Sequence, residues 1–96
     1  MTATLKALFS LGQVVSTPGA IRALADEGCD AYDLLSRHIS GDWGDLSEQD
    51  KGENDLSLNE RFRLFSAYDL PKTKVTVCVI TEADRSATTL LLLDEY

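Results

Sequence analysis

The sequence predicts an α+β domain spanning residues 1–96. Two to three N-terminal helices pack on one face of a three- to four-stranded antiparallel sheet built around a C-terminal meander. Three observations carry this reading. Helix start and stop signals punctuate residues 17–60. Between residues 62 and 93 the apolar residues change to a period of two. The alternating stretches are joined by short turns at 71–73 and 82–86, too short for a parallel crossover, so neighbouring strands are antiparallel.

The elements follow in chain order. Phe9, Leu11, Val14 and Val15 suit a short strand broken at Gly12, a candidate fourth strand. Thr17 is a good N-cap, and Pro18 at the first helical position loses no needed N–H. Ile21, Leu24 and Ala25 then make one apolar stripe, and Gly28 ends the first helix as a left-handed cap. Asp30 caps a second helix, in which Tyr32, Leu35 and Ile39 share a face with Leu34 beside them, and Gly41 stops it. Ser47 caps a third. Glu48 and Asp50 suit its first turn, where the helix dipole favours negative charge. Gly52 and Asn54 weaken it, and its apolar side is little more than Leu46, Leu56 and Leu58. Phe62, Leu64, Ser66 and Tyr68 then alternate with Arg63, Phe65, Ala67 and Asp69. Val75–Ile80, the densest apolar stretch, reads as the central strand, and Thr88–Leu93 as the last.

The chain has 16 acidic and 9 basic residues, a net charge of −7. That balance argues against direct binding to nucleic acid, which needs clustered Lys and Arg, and against an anionic membrane surface. No window approaches the roughly 18 apolar residues of a transmembrane helix. Cys29 and Cys78 are too few for a disulfide framework and read as reduced thiols. With no signal-peptide pattern, the expected location is the cytoplasm. The charge is uneven. Residues 26–60 hold eleven acids and two bases, a net of −9, while residues 61–96 hold five of each. This block is the most informative bulk feature.

Several segments stand out: Leu11-Gly12-Gln13-Val14-Val15-Ser16-Thr17-Pro18-Gly19-Ala20, Gly41-Asp42-Trp43-Gly44-Asp45, Leu64-Phe65-Ser66-Ala67-Tyr68, Ile80 to Thr89 (ITEADRSATT), and Asp94-Glu95-Tyr96. Together they resemble a family of short bacterial proteins carried on plasmids, integrated elements and phages and described as plasmid-related proteins. The resemblance covers nearly the whole chain. One departure is Leu93, where the family pattern carries Pro. The resemblance implies an accessory role on a mobile element and no particular chemistry.

Two loops and one side chain are candidate functional groups. In the first loop, Trp43 flanked by Asp42 and Asp45 reads either as a helix connection with the indole over the core or as an aromatic anchor for a partner. Asp42 and Asp45 alone do not make a calcium loop, and no metal or other cofactor is expected. In the second, Glu82, Asp84 and Arg85 read either as a polar hairpin turn or as a charged site presenting a guanidinium fork. His38, the only histidine, sits near the end of the second helix, where the dipole favours partial protonation.

Three functions follow as expectations. The first is an acidic protein-binding module that inhibits a host factor or mimics nucleic acid, with a protein partner engaging Asp42, Trp43, Asp45, Glu82, Asp84 and Arg85. The second is a small metal-independent ribonuclease, with His38 moving protons, Arg85 stabilising phosphorane charge and Thr88, Thr89 or Tyr68 positioning phosphate. The third is a homodimeric assembly protein. Its basis is the run Leu90–Leu93, which is either buried on both faces or lies on a dimer edge.

Overall fold

The computed structural model describes residues 7–96. It contains strand β1 (Gln13–Ser16), helices α1 (Pro18–Glu27), α2 (Ala31–Ile39) and α3 (Glu48–Glu60), strands β2 (Leu64–Asp69), β3 (Thr76–Thr81) and β4 (Ala87–Leu92), and a 3-10 turn at Leu93–Glu95. The α+β class and the C-terminal meander are as expected. The sheet, however, is mixed, with strand order β1-β4-β3-β2 and β1 parallel to β4. Topology gives the reason. Three helices carry the chain from β1 at one edge of the sheet to β2 at the other. Each hairpin of the meander then reverses direction, so β4 runs parallel to β2. β1 also runs parallel to both and meets β4 on its outer side.

This order corrects the reading of the leucine run. β4 lies between β1 and β3, so it is not a free edge. Leu90 is fully buried on the helix side, and Leu91 and Leu92 are partly buried. β3 is central, as its apolar density predicted.

The caps form where the sequence placed them. The Thr17 hydroxyl accepts from the Ala20 N–H, the Asp30 carboxylate from Tyr32 N–H and the Ser47 hydroxyl from Asp50 N–H. Gly28 takes the left-handed conformation at φ 74°. Leu93 opens the C-terminal 3-10 turn, a first-turn position that accepts proline equally well.

The buried faces of the helices differ from those expected. α1 buries Ala20, Ala23, Leu24 and Glu27, and leaves Ile21 58% exposed. α2 buries Leu34 and His38, and leaves Tyr32 65% exposed. α3 buries only Asn54 and Ser57, and Leu56 stands 57% exposed. In each case the sheet took a stripe richer in small or polar residues than apolar spacing alone suggests. Small side chains let α1 approach β4 closely. Polar ones are tolerated because the fold supplies partners. Glu27 is the clearest example. Its carboxylate accepts from the N–H groups of Lys72 and Thr73 and from the Thr73 hydroxyl, closing the β2–β3 turn onto α1. Burial raises its pKa, but these donors outweigh burial and leave it below the ordinary carboxylate value.

The core under α1 and α2 joins Ala20, Ala23, Leu24 and Leu34 to Tyr68, Leu70, Val77, Val79 and Leu90. Inward positions alternate along β2 (Leu64, Ser66, Tyr68), β3 (Val77, Val79, Thr81) and β4 (Thr88, Leu90).

The β2 edge is closed by side chains and by a loop. The Asn54 carboxamide from α3 behaves as a peptide group, accepting from Phe65 N–H at 3.1 Å and donating to the Phe65 carbonyl at 2.5 Å. Ala67 N–H donates to the Trp43 carbonyl, and Asp45 N–H to the Ala67 carbonyl. Asp69 N–H donates to the Asp45 carboxylate at 2.8 Å. Gly44, at φ 80°, lies against this edge, and a Cβ there would collide with the Ala67 carbonyl and the Tyr68 ring. The Gly-Asp-Trp-Gly-Asp segment is thus a short surrogate strand that hides the β2 edge from other chains.

Candidate functional site

One end of the sheet, under α2, holds a chain of hydrogen-bonded polar groups within the core. His38, Ser66, Thr81 and Thr88 are each 0% exposed. His38 Nδ1 lies 2.5 Å from Ser66 Oγ and Nε2 lies 2.9 Å from Thr81 Oγ1. Thr81 Oγ1 is 2.7 Å from Thr88 Oγ1, and Thr88 donates to the Leu11 carbonyl at 2.7 Å. Each hydroxyl carries one proton, so the last acceptor fixes the order. A carbonyl only accepts, so the Thr88 proton points to Leu11. Thr81 then donates to Thr88, His38 Nε2–H donates to Thr81, and Ser66 donates to Nδ1. The ring is the neutral Nε2–H tautomer.

This corrects the expected partial protonation of His38. The helix end favours a cation, but burial disfavours it more. With the Arg85 charge acting in the same direction, His38 titrates near pH 4 rather than near its ordinary 6.5. Aromatic rings close the surroundings. Phe9 meets His38 edge-on at 5.2 Å, Trp43 meets it edge-on at 5.6 Å, and Phe9 and Trp43 stack at 6.3 Å.

The two candidate loops are linked through Phe9. Trp43 stacks on that ring, and the Arg85 guanidinium carbon lies 5.7 Å from its centroid. Trp43 is only 3% exposed and presents almost no surface as an anchor. Its Nε1–H donates to the Asp55 carboxylate on α3 at 3.0 Å. Asp42 pairs bidentately with Arg37 at 2.7 and 3.3 Å and accepts from Gly44 N–H. The Arg37 hydrogen bonds, ahead of the opposing effect of burial, hold the Asp42 carboxyl below its ordinary range. Arg37 also lies over the Tyr68 ring at 4.6 Å, and the Tyr68 hydroxyl donates to the Asp42 carbonyl at 2.7 Å. Asp45 holds Asp69, as described above.

In the second loop, Glu82 pairs with Arg63 at 3.4 Å, and Asp84 accepts from Ser86 N–H at 3.0 Å. Arg85, at φ 62°, donates through Nη1 to the carbonyls of Phe62, Glu82 and Ala83 and through Nη2 to that of Ser57. It fastens the β3–β4 hairpin to the end of α3.

His38, Arg85 and Thr88 do converge, with Thr81 between the histidine and Thr88 and with Phe9 between the histidine and Arg85. Both ring nitrogens are committed to core hydroxyls, so proton exchange with a bound molecule would first require one of these hydrogen bonds to break. Phe9, Ser66, Thr81, Asn54 and Arg61 gain structural roles beyond the ones expected from their sequence positions. Three polar residues, Ser66, Thr81 and Thr88, share strand parity with buried apolar ones, and that coincidence was the available signal. Among the described residues, no group of three or more His, Cys, Asp or Glu side chains is placed to hold a metal ion. Among the same residues, no helix is long and apolar enough to cross a membrane.

The acidic block is displayed on the surface. Of its eleven acids only Glu27 is buried. Among the described residues, ion pairs engage only Asp42 and Glu48 of the block. On α3, Leu56 is exposed between Glu53 and Glu60, which share its side of the helix at i−3 and i+4.

Comparisons of the chain with protein-family models, with curated proteins and with solved structures return no significant match.

Proposed function

We propose that the protein is an acidic protein-binding module that acts by occupying a basic surface of a partner protein, with the outer side of α3 as its principal contact. The observation that carries this reading is Leu56, an exposed apolar side chain flanked by Glu53 and Glu60, which have no basic partner among the described residues. An apolar anchor ringed by charge suits a docking surface, where the charge steers encounter and the apolar contact slows release. α3 fits the role because it is attached through Asn54, Ser57 and the Trp43–Asp55 hydrogen bond, while Glu53, Leu56 and Glu60 stay exposed. The resemblance to plasmid- and phage-borne chains supports a host protein as the partner. A positively charged groove that handles nucleic acid is the surface such a module would complement.

The test is a set of exposed-site variants. Leu56→Ala and the double variant E53Q/E60Q touch no internal hydrogen bond and are expected to alter stability by no more than about 0.5 kcal/mol. Leu56→Ala is expected to weaken capture of a stoichiometric partner about tenfold, and E53Q/E60Q to reduce the salt dependence of capture. A partner held equally by wild type and both variants would place the contact elsewhere and remove α3 from the account.

A further inference from the structure

We propose that the pocket lined by Leu8, Phe9, Ser10, Leu58, Arg61 and Arg85 binds a phosphate group, carried by inorganic phosphate or by a small phosphomonoester. The pocket lies at the C-terminal end of α3, and its volume is about 240 Å³. That is below the roughly 300–1,000 Å³ of sites for drug-sized ligands but is ample for one tetrahedral oxyanion.

The charge arrangement is what calls for a ligand. Two guanidinium groups line one small pocket in a chain with 16 acids and 9 bases. Among the described residues, the ion pairs are Arg37 with Asp42, Lys51 with Glu48 and Arg63 with Glu82, and neither Arg61 nor Arg85 belongs to one. Like charges gathered without a carboxylate are unfavourable unless an anion joins them. Burial first, and then the Arg61 charge, lowers the pKa of Arg85, so the two groups act on each other.

The hydrogen bonds of Arg85 leave a defined part of it uncommitted. Nη1 serves three carbonyls and Nη2 one. Nε–H and the second Nη2 hydrogen make no hydrogen bond among the described residues. On Arg37 that same Nε/Nη2 fork holds the Asp42 carboxylate. Arg85 is therefore fixed by backbone carbonyls and retains two donors, Nε–H and one Nη2–H, for an anion. Arg61 is the left-handed cap of α3, at φ 57°, so the two arginines come from the end of a helix and from the turn of a hairpin.

Charge selects the class of anion. One guanidinium suffices for one carboxylate, as Arg37 and Asp42 show. Two guanidiniums with the Ser10 hydroxyl nearby match a phosphate carrying a charge of about −1.5 to −2 at neutral pH.

The experiment is calorimetric titration at low ionic strength, with phosphorus NMR line widths as a second readout. The probes are inorganic phosphate, ribose 5-phosphate, and acetate as the carboxylate control. Wild type is compared with Arg61→Asn, which removes the charge at a left-handed position that asparagine tolerates. Saturable binding of phosphate by wild type, at least about tenfold weaker in Arg61→Asn, is the expected result. Equal affinities for the two phosphates would identify the free ion as sufficient, and tighter ribose 5-phosphate would identify an organic phosphate as the source. Arg61→Lys keeps the charge without the planar fork and should bind with intermediate affinity, which guards against a folding defect in the first variant. No saturable binding of either phosphate up to about 10 mM would overturn the proposal. So would undiminished binding in Arg61→Asn, or acetate binding as tightly as phosphate.

Discussion

Replacing His38 with alanine is expected to destabilise the fold by about 3–5 kcal/mol, a large share of the stability of a domain this size. Two costs add. Removing a fully buried ring leaves a cavity beneath Phe9 and Trp43. It also takes the partner from Ser66 Oγ and from one side of Thr81 Oγ1, and a buried hydroxyl without a partner costs about 1–3 kcal/mol. The wild-type protein should show the same chemistry as a pH dependence. His38 titrates near 4 in the fold against 6.5 for the free side chain, so the unfolded chain takes up its proton first as pH falls. Stability from this group is complete above about pH 6.5 and declines on acidification towards pH 4, by about 2 kcal/mol between pH 7 and pH 5. Denaturant unfolding across that range checks it. His38→Gln, which hydrogen-bonds but does not titrate, should flatten the profile between pH 5 and 6.5. An unchanged slope in that variant would assign the acid sensitivity to other groups.

Asn54→Ala is expected to cost about 2–3 kcal/mol and to release α3 before the rest of the fold opens. The helix has no apolar seam of its own. Its register rests chiefly on one carboxamide that completes the ladder at Phe65, with help from Ser57, from the Trp43–Asp55 hydrogen bond and from Arg85 at its end. Amides of residues 50–60 should exchange markedly faster in the variant, while those of β3 stay protected. The uncovered edge of β2 should also make the variant prone to association. Asn54→Asp should not rescue it, because a carboxylate cannot donate to the Phe65 carbonyl. Equal protection of α3 in wild type and Asn54→Ala would show that the helix is held by contacts other than this pair.

These two residues also mark where the sequence was legible and where it was not. Caps depend on local chemistry, so Thr17, Pro18, Gly28, Asp30 and Ser47 could be read directly. The meander was legible for the same reason, since short turns leave few alternatives. Which side of each helix turns inward is a tertiary choice. Apolar spacing favoured Ile21 and Tyr32, but the sheet accepted Ala20, Ala23 and His38, because the strands offered close approach at some positions and hydroxyl partners at others. The parallel pairing of β1 was hidden because it depends on three intervening helices. The loop containing Trp43 had two readings. Its aspartates proved to be backbone and arginine partners at the β2 edge, a role visible only once Ala67 and Asp69 are placed beside them. The joining of Arg61 to Arg85 was equally remote, since one ends a helix and the other sits in a hairpin 24 residues later.

The proposed function requires the acidic surface to engage a basic partner protein. The most direct measurement is capture by the tagged protein from host lysate over a salt series from about 0.05 to 0.5 M, with wild type and E53Q/E60Q in parallel. A stoichiometric protein with a basic surface should be held at low salt, be released steeply as salt rises, and be held less well by the variant throughout. Capture that is indifferent to salt and to the two charges, or no stoichiometric protein at any salt, would contradict the account.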